Sequence, residues 1–446
     1  MLVQARARWL SSVGLAIGAL ALAPGGRLAA QTRQVPVESY IYDLKNPDSA
    51  RRQDAAHELG SLKHVAAIPD LVALARDPVP AVRREVESAL EHMEDLKALP
   101  GFVAFATDTE VDIRARAVAS LVNIHLPRTK GLGAALTRLG EMIMLTPERD
   151  LDIVVEPDVP VDPIVITTLT ARISDSDKGI RRTAVRGVGI LRGKEAVSEL
   201  IRVVREDRDD SMRFDSVRSL RKIGDASSGD DLVALLNLNG DTVRNEMMAT
   251  LGSMRFHGAV PELTRIVEST TRTDTPRVVA LGALADIADS SSAPLFDRLK
   301  ADKYEPLRLY ANEGIARTAS ADSKTAISAA RLIEKSAWVR TAQAFALARI
   351  GELEYLDELV RALDRPLTRA LAREYLLETP PANRRALFAP RELSPSARAE
   401  LAEILGRIGD PEALPRLQQL SNDTDADVVR AAERATRRIT VTSSSQ

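Results

Sequence analysis

The stretch Asp77-Pro78-Val79-Pro80-Ala81-Val82-Arg83 decides the fold, because its final arginine recurs along the 446-residue chain at a nearly constant step. The step is roughly 30 residues, within the range typical of architectures in which stacked units contact only their neighbours. A single longer interval separates Arg114 from Arg181. The series consists of Arg52, Arg83, Arg114, Arg181, Arg213, Arg244, Arg277, Arg308, Arg340, Arg369, Arg398 and Arg430.

Apolar residues keep fixed distances from each arginine of the series. In the unit of Arg83 they are Val82, Val86, Leu90 and Met93, at positions −1, +3, +7 and +10. This spacing places them on one stripe of a helix with 3.6 residues per turn. We therefore predict that each arginine lies in an amphipathic helix A, whose apolar stripe is buried in the array.

Each helix A is followed by signals for its end and for a second helix. A residue free to adopt positive φ closes a helix, and glycine falls at position +11 in Gly224, Gly351 and Gly409. Proline is favoured in a first helical turn, and it falls at position +17 in Pro69, Pro100, Pro261, Pro294 and Pro415. The sequence thus predicts a helix B in each unit. Each unit becomes an antiparallel hairpin of about 31 residues, which buries both stripes only by stacking on its neighbours.

These features together resemble a known family. The pattern in residues 77–83 and in Ile408-Gly409-Asp410-Pro411-Glu412-Ala413-Leu414-Pro415 resembles HEAT repeats, especially the short variety named after phycobilisome lyases. The resemblance covers roughly residues 40–440 and implies an all-α solenoid. We predict about eleven hairpins and a terminal capping helix over residues 46–440, with helix B on the concave side.

The recurring arginine has a structural interpretation. An aspartate near a helix start accepts terminal N–H groups, and a guanidinium can bridge it in a forked geometry. Such an aspartate precedes the arginine by six residues at Asp77, Asp108, Asp175, Asp207 and Asp302. We predict that the twelve arginines form an Arg/Asp ladder between units, and we favour this role over an anion-binding stripe.

Residues 1–30 have the features of a secretory signal peptide. Arg6 and Arg8 give a positive start, Trp9 to Pro24 is apolar, and Leu28-Ala29-Ala30 offers small residues for cleavage. The apolar run of about 16 residues is shorter than the roughly 20 needed to span a bilayer, which favours cleavage over a membrane anchor. We expect an exported protein, periplasmic or extracellular, with no membrane span after cleavage.

The array is predicted to end in two short segments. Residues 31–45 form a lead-in, in which Tyr40 and Tyr42 are expected to cover the first repeat. Residues 441–446 form a polar tail that we expect to be disordered.

The long interval between Arg114 and Arg181 holds an insertion, residues 126–162, between helix A and helix B of the third unit. Its first half predicts an extra helix, Gly131 to Met144, and its second half is acidic. Long insertions in compact domains tend to be functional, so we expect this one to contribute to partner specificity. The candidate interaction residues are Glu148, Arg149, Asp150, Asp152, Glu156 and Asp158.

Composition excludes several classes of function. The chain has 61 basic and 63 acidic residues, so it lacks the basic excess that would neutralise many phosphates, and we do not expect a nucleic acid partner. It has no cysteine, which excludes disulfides and thiolate metal sites. Two tryptophans are too few for base- or sugar-stacking platforms along a groove.

Histidines in the first units suggest an alternative. His57-Glu58 is similar to the His-Glu pairs that HEAT-repeat di-iron hydroxylases of the deoxyhypusine type use as ligands. That site needs such pairs in several repeats, and the equivalent positions hold Ser88-Ala89, Ala119-Ser120, Arg186-Gly187 and Ala249-Thr250. The alternative hypothesis is therefore a metal-dependent hydroxylase or a lyase-like enzyme with its site around His57, His92 and His125.

The favoured hypothesis is an exported, non-enzymatic scaffold without a cofactor. A solenoid offers a long, shallow surface instead of a deep pocket, which suits the binding of a protein or peptide. We expect the partner to contact the concave surface and the 126–162 insertion.

Overall fold

The computed structural model describes residues 36–126, 153–156, 159–238, 240–269, 274–318 and 323–444. Within these ranges every regular element is helical. The lead-in helix is α1 (Val37–Asp43). The A helices are α2 (Ser49–Ser61), α4 (Pro80–Met93), α6 (Val111–Asn123), α8 (Lys178–Ile190), α10 (Asp210–Ile223), α12 (Asp241–Ser253), α14 (Asp274–Ile287), α16 (Glu305–Thr318), α18 (Ala337–Ile350), α20 (Arg369–Leu377), α21 (Pro395–Ile408) and α23 (Ala426–Ser444).

The B helices alternate with the A helices along the chain. They are α3 (Ile68–Ala73), α5 (Leu99–Phe105), α7 (Pro163–Arg172), α9 (Val197–Glu206), α11 (Gly229–Leu235), α13 (Val260–Glu268), α15 (Ala293–Leu299), α17 (Lys324–Ile333), α19 (Leu353–Ala362) and α22 (Leu414–Leu420). In the tenth unit a 3-10 run, Pro381–Phe388, stands in place of helix B. The predicted all-α array of about eleven hairpins and a terminal helix is confirmed.

The apolar stripe of helix A forms the core. In the second unit Val82, Val86 and Leu90 are fully buried and Met93 nearly so. The stripe fails at position +10 of the first unit, where Leu62 is 54% exposed. In the fourth unit Leu191 also follows the end of its helix and precedes a residue of positive φ, Arg192, but it is buried.

Position +11 closes most A helices with a left-handed residue. The three predicted glycines have positive φ, 69° at Gly224, 110° at Gly351 and 72° at Gly409. The same position has positive φ without glycine at Lys63, Glu94, Arg192, Arg255 and Ala288. The turn geometry is therefore repeated even where the sequence offers no glycine to indicate it.

Glycine at position +8 brings neighbouring A helices together. A Cβ on Gly60 would lie 2.7 Å from the Cα of Ala89, and one on Gly406 would lie 2.6 Å from the Cα of Ala435. Gly189 and Gly252 meet the next A helix in the same way. The absence of a side chain thus permits close contact between successive A helices.

The last helix does not follow the predicted register. Ala435 lies under Gly406 as Ala89 lies under Gly60, so the position equivalent to Arg83 is Val429 and not Arg430. The buried residues of α23 are Val428, Ala431, Ala432, Ala435 and Ile439. Arg430 is mostly exposed and pairs with Asp427, three residues earlier on its own helix.

Both ends of the array differ from expectation. Tyr40 packs against the core, but Tyr42 is 77% exposed, because the short α1 turns only one side toward the first unit. The helix α23 continues to Ser444, which corrects the expectation of a disordered tail for residues 441–444. Main-chain hydrogen bonding continues there, and the Thr440 hydroxyl also donates to the carbonyls of Thr436 and Arg437.

The insertion leaves the hairpin of the third unit intact. The Arg114–Asp175 pair spans 61 residues, against 25 for the corresponding Arg83–Asp108 pair. The returning end of the insertion contacts the next unit, since the buried Val155 donates its N–H to the carbonyl of Ile190 at 2.8 Å.

Several predicted segments lie outside the described residues. They include the signal peptide, the helix predicted at Gly131 to Met144, and all the candidate loop residues except Glu156. No helix in the described part of the chain combines the length and apolar character needed to cross a membrane.

Candidate functional site

Five arginines of the series form a ladder between consecutive units. Arg83 donates Nε and Nη2 to the two carboxylate oxygens of Asp108 at 2.7 and 2.8 Å, and Nη1 to the carbonyl of Asp77 at 2.9 Å. The carboxylate also accepts the N–H of Glu110, at the start of the next helix A. The forked pairs are Arg52–Asp77, Arg83–Asp108, Arg114–Asp175, Arg308–Glu334 and Arg398–Asp423.

The other seven arginines do not make this fork. Four of them have no carboxylate at the place where Asp108 follows Arg83, because Leu238, Ser269, Arg365 and Ser394 stand there. Arg181, Arg277 and Arg369 donate to main-chain carbonyls, and Arg340 approaches one at 3.5 Å. Arg213, Arg244 and Arg430 pair with an aspartate three residues earlier. The predicted twelve-membered ladder is therefore interrupted.

The fork makes a testable contribution to stability. Burial would raise the pKa of Asp108, but hydrogen bonds from Arg83 and from the N–H of Glu110 hold it below its usual value. A carboxylate whose pKa is lower in the folded than in the unfolded state stabilises the folded protein at pH values above the unfolded-state pKa. This stabilisation is lost as the pH falls through the folded-state pKa. We expect Asp108→Asn to cost about 1–3 kcal/mol at pH 7, with the difference shrinking below about pH 4. Urea unfolding at both pH values measures it.

Asp302→Asn provides the matched control. Asp302 occupies the same turn position and accepts the N–H of Tyr304 at 2.8 Å, but Arg277 does not fork onto it. An equal loss in both variants would show that the turn hydrogen bond, and not the fork, carries the stability.

A groove lies on the A face, which we define as the surface formed by positions +1, +5, +8 and +9 of the A helices. It has a volume of about 380 Å³ and crosses four units. Its charged lining includes Arg255, Asp286, Glu313, Arg317 and Glu378, contributed by the ends of α12 and α14, by α16 and by the residue after α20.

Arg317 is the centre of this groove. Its Nη1 lies 3.1 Å from Asp286 Oδ1 and 3.2 Å from Glu313 Oε2, and its Nη2 donates to Glu378 Oε1 at 2.8 Å. The buried Tyr375 donates its hydroxyl to Glu313 Oε1 at 2.6 Å. We call these five residues the Arg317 cluster.

Burial shifts the pKa values of the Arg317 cluster. It raises the pKa of Glu313, although the charge of Arg317 and the hydrogen bond from Tyr375 lower it. It also raises the pKa of Asp286 and of Tyr375. Burial would lower the pKa of Arg317, but the hydrogen bond to Glu378 and the charge of Glu313 raise it overall. Shifted groups in a concave surface are typical of functional sites.

The cluster joins units that are not adjacent. Glu313 and Arg317 lie on α16, whereas Tyr375 lies on α20, and α18 stands between them. From α18, Phe345 stacks on Tyr375 with ring centroids 4.3 Å apart. Side chains of α16 and α20 therefore meet over α18, so the A face curves inward here. This differs from the expectation that helix B lines the concave side.

A second buried carboxylate was not singled out from the sequence. Glu87 on α4 is fully buried, and its Oε1 accepts the Ser120 hydroxyl at 3.2 Å. Its Oε2 has no hydrogen-bond partner among the residues that the structure describes. Burial, with repulsion from Glu91, raises the pKa of Glu87 to about 7. The sequence gives only a weak indication that this carboxylate is buried, namely a charged residue between Val86 and Ala89.

Glu87 gives a second prediction. The pKa of Glu87 is higher in the folded than in the unfolded state. Its contribution to folding stability is therefore most favourable at pH values below the unfolded-state pKa, and this is lost as the pH rises toward 7. We expect Glu87→Gln to stabilise the protein by about 1–3 kcal/mol at pH 8 and to have little effect near pH 4. Urea midpoints at the two pH values test this. Destabilisation at pH 8 would contradict it.

The three histidines of the alternative hypothesis are not brought together. His57 Nδ1 lies 2.9 Å from Glu85 Oε1, and this hydrogen bond raises the pKa of His57. The Nδ1 atoms of His92 and His125 lie 2.7 and 2.9 Å from carbonyl oxygens of their own helices. Within the described ranges no group of three or more His, Cys, Asp or Glu is placed to hold a metal ion.

Of the candidate loop residues, the structure places only Glu156, which is exposed beside the buried Val155. Glu148, Arg149, Asp150, Asp152 and Asp158 fall outside the described residues.

Comparison with known proteins supports the repeat assignment. A family model described as HEAT repeats matches residues 40–122, 166–252 and 385–439. No curated protein sequence matches the chain.

Three solved structures are among those to which this chain is similar. An engineered protein is 17% identical, with 91% of this chain and 98% of that one covered and a TM-score of 0.35. Importin beta is 12% identical, with 91% and 57% covered and a TM-score of 0.43. Human deoxyhypusine hydroxylase is 20% identical, with 55% and 96% covered and a TM-score of 0.29.

Proposed function

We propose that this chain, which belongs to the HEAT-repeat family, is an exported, non-enzymatic scaffold that binds a protein or peptide partner. The partner contacts the inward-curved A face and the 126–162 insertion. This assignment draws on the shape and charge of the surface, since one fold hosts many functions.

The observation that carries the proposal is the groove of the Arg317 cluster. It runs across four units and presents the partly exposed carboxylates of Asp286 and Glu378 beside Arg317. Their positions are fixed by mutual hydrogen bonds, so little side-chain freedom is lost on binding. An open charged groove that crosses four units suits an extended peptide better than a small molecule, which favours enclosed apolar pockets.

Export and the role of the insertion rest on sequence features. The positive start, apolar stretch and small residues of residues 1–30 support cleavage and secretion. The described part of the insertion includes Val155, which donates its N–H to the carbonyl of Ile190 at the end of α8.

Affinity capture from an envelope fraction tests the proposal. The full chain is compared with Glu374→Arg, which reverses a charge on the groove lining, and with a variant lacking residues 127–152. Glu354→Arg on α19 is the control, because Glu354 is exposed and lies outside the groove lining. We expect Glu374→Arg and the deletion to lose the same partner and Glu354→Arg to keep it.

Two further results would overturn the proposal. One is a mature amino terminus that still contains Trp9. The other is stoichiometric iron or zinc in the purified protein that disappears when His57 and His92 are replaced.

A further inference from the structure

Positive charge is concentrated in residues 178–224, which hold the fourth unit and helix A of the fifth. Residues 178–224 contain 13 basic and 7 acidic residues, although the whole chain has 61 basic and 63 acidic residues. Part of this charge lies on the A face, since Arg182 and Arg186 occupy positions +1 and +5 of α8 and Arg221 occupies position +8 of α10. These three arginines, with Asp215, are called the arginine surface.

One buried carboxylate holds two guanidiniums of the arginine surface. Arg182 donates Nε to Asp215 Oδ2 at 2.6 Å, and Arg186 donates Nε and Nη2 to the same carboxylate at 3.1 and 3.2 Å. Asp215 is 3% exposed, whereas the side chains of Arg182 and Arg186 are 44% and 31% exposed. Asp215 therefore orients two arginines whose side chains remain partly accessible to solvent.

Arg221 extends the surface along α10. Its side chain is 33% exposed, and its Nη1 forms an ion pair with Glu246 Oε1 at 3.6 Å. The neighbouring Arg218 is buried and lies over the ring of Phe214. Among the described residues, Asp215 faces this surface from α10 and Glu246 from α12, and Arg221 also lowers the pKa of Asp286 on α14 through its charge.

These arginines differ from those of the ladder. Arg83 and its equivalents direct their donors into a carboxylate and a carbonyl of the turns, and are nearly buried. The arginine surface occupies positions +1, +5 and +8 instead and points away from the core. Asp215 fixes the positions of Arg182 and Arg186, which reduces the ordering cost of binding an anion.

We propose that the arginine surface binds an aspartate- or glutamate-rich segment of the partner. This inference rests on the scaffold function proposed above and names the chemistry of the partner. A guanidinium recognises a carboxylate through two parallel hydrogen bonds, so a row of such groups fits a row of acidic side chains. An extended segment of about eight residues spans about 26 Å, enough to cross two A helices about 9 Å apart.

A nucleic acid fits this surface less well. Binding to a nucleic acid gains its strength from many phosphate contacts along the backbone. The arginine surface covers two helices only, and the A face beyond it carries Asp286 and Glu378 of the Arg317 cluster. A short acidic peptide, in contrast, needs a positive surface no longer than the arginine surface.

A fluorescently labelled peptide of eight alternating glutamate and serine residues tests the proposal by anisotropy with the full chain. The variant Arg182→Gln/Arg221→Gln removes two exposed charges and leaves Arg186 paired with Asp215. The control Arg298→Gln/Arg385→Gln removes two exposed arginines from other units. We expect the first variant to weaken binding about tenfold or more and the control to change it less than about twofold.

Arg182→Lys/Arg221→Lys separates charge from geometry. It keeps both positive charges but lacks the forked donors, and we expect an intermediate loss. Absence of peptide binding to the unaltered chain, or an equal loss in the control, would overturn the inference, as would tighter binding of a single-stranded oligonucleotide. Capture of the cellular partner by the first variant at full yield would overturn it too, while leaving the scaffold proposal standing.

Discussion

Replacement of Arg317 by methionine is expected to cost about 3–5 kcal/mol of unfolding free energy, because it leaves a buried negative charge without its partner. Glu313 is 6% exposed, and Arg317 is the cation that contacts it. Methionine keeps much of the length and apolar character of the arginine stem, so the loss reports charge and hydrogen bonding more than volume. Urea unfolding followed by circular dichroism at pH 7 measures it.

A double replacement identifies the cause. In Arg317→Met/Glu313→Gln the buried charge is gone, and we expect a substantial part of the loss to be recovered. The loss in the single variant should also be smaller at pH 5, because burial already raises the pKa of Glu313 and its protonation removes the unpaired charge. A loss that neither Glu313→Gln nor lower pH reduces would show that Arg317 stabilises the array through other contacts.

Arg385→Met is the control for this experiment. Arg385 is 80% exposed and pairs with Glu412 on the surface. Exposed ion pairs contribute little because water and salt screen them. We therefore expect no measurable change in the unfolding midpoint.

Local periodicity allowed much of the fold to be predicted. The stripe of Val82, Val86 and Leu90 repeats within one helix, so a single sequence displays it directly. The final register could not be fixed in this way. Arg430 and Val429 are adjacent, and only the packing of Ala435 under Gly406 shows that Val429 occupies the position of the series.

The ladder was predictable in part. Its geometry follows from an arginine in one turn and a carboxylate in the next, as in Arg83 and Asp108. The fork cannot form where the residue in the next turn has no carboxylate to accept hydrogen bonds, although the arginine of the series is present. Arg340 is an example, because Arg365 stands at the position that Asp108 occupies relative to Arg83. The ladder is therefore predicted better from the sequence if each pair is required to have both the arginine and a carboxylate in the next turn.

The candidate site was not predictable from local pattern. Glu313 and Tyr375 are separated by 62 residues and by one complete unit. Their contact depends on the inward curvature of the A face over α18, which no periodicity within a helix encodes. The same reason applies to Arg182, Arg186 and Asp215, whose grouping becomes visible only when two A helices are placed side by side.

The array separates its structural and its exposed charges by helix position. The arginines of the ladder direct their donors into the turns between units, whereas the arginine surface and the Arg317 cluster lie on the A face. Replacement of A-face residues should therefore alter binding with less effect on the stacking of units. Arg317 is the exception, because it is buried in the cluster while lining the groove.

Leu251→Ala is expected to cost about 2–5 kcal/mol, because it creates a cavity in the packed core. Leu251 is fully buried at position +7 of α12, and the next residue, Gly252, brings α12 against Ala283 of α14. That close backbone contact limits how far the helices can move inward to fill the space. The cost should therefore fall in the upper part of the range, and urea unfolding measures it.

The exposed Leu332 supplies the matched control for this change. It is 86% exposed at the end of α17, so Leu332→Ala should alter stability by less than about 0.5 kcal/mol. Since units of a stacked array are stabilised by their neighbours, the loss at Leu251 should shift unfolding of the adjoining units as well. A cost below about 1 kcal/mol at Leu251 would contradict burial of the stripe between hairpins, on which the solenoid and its binding surfaces depend.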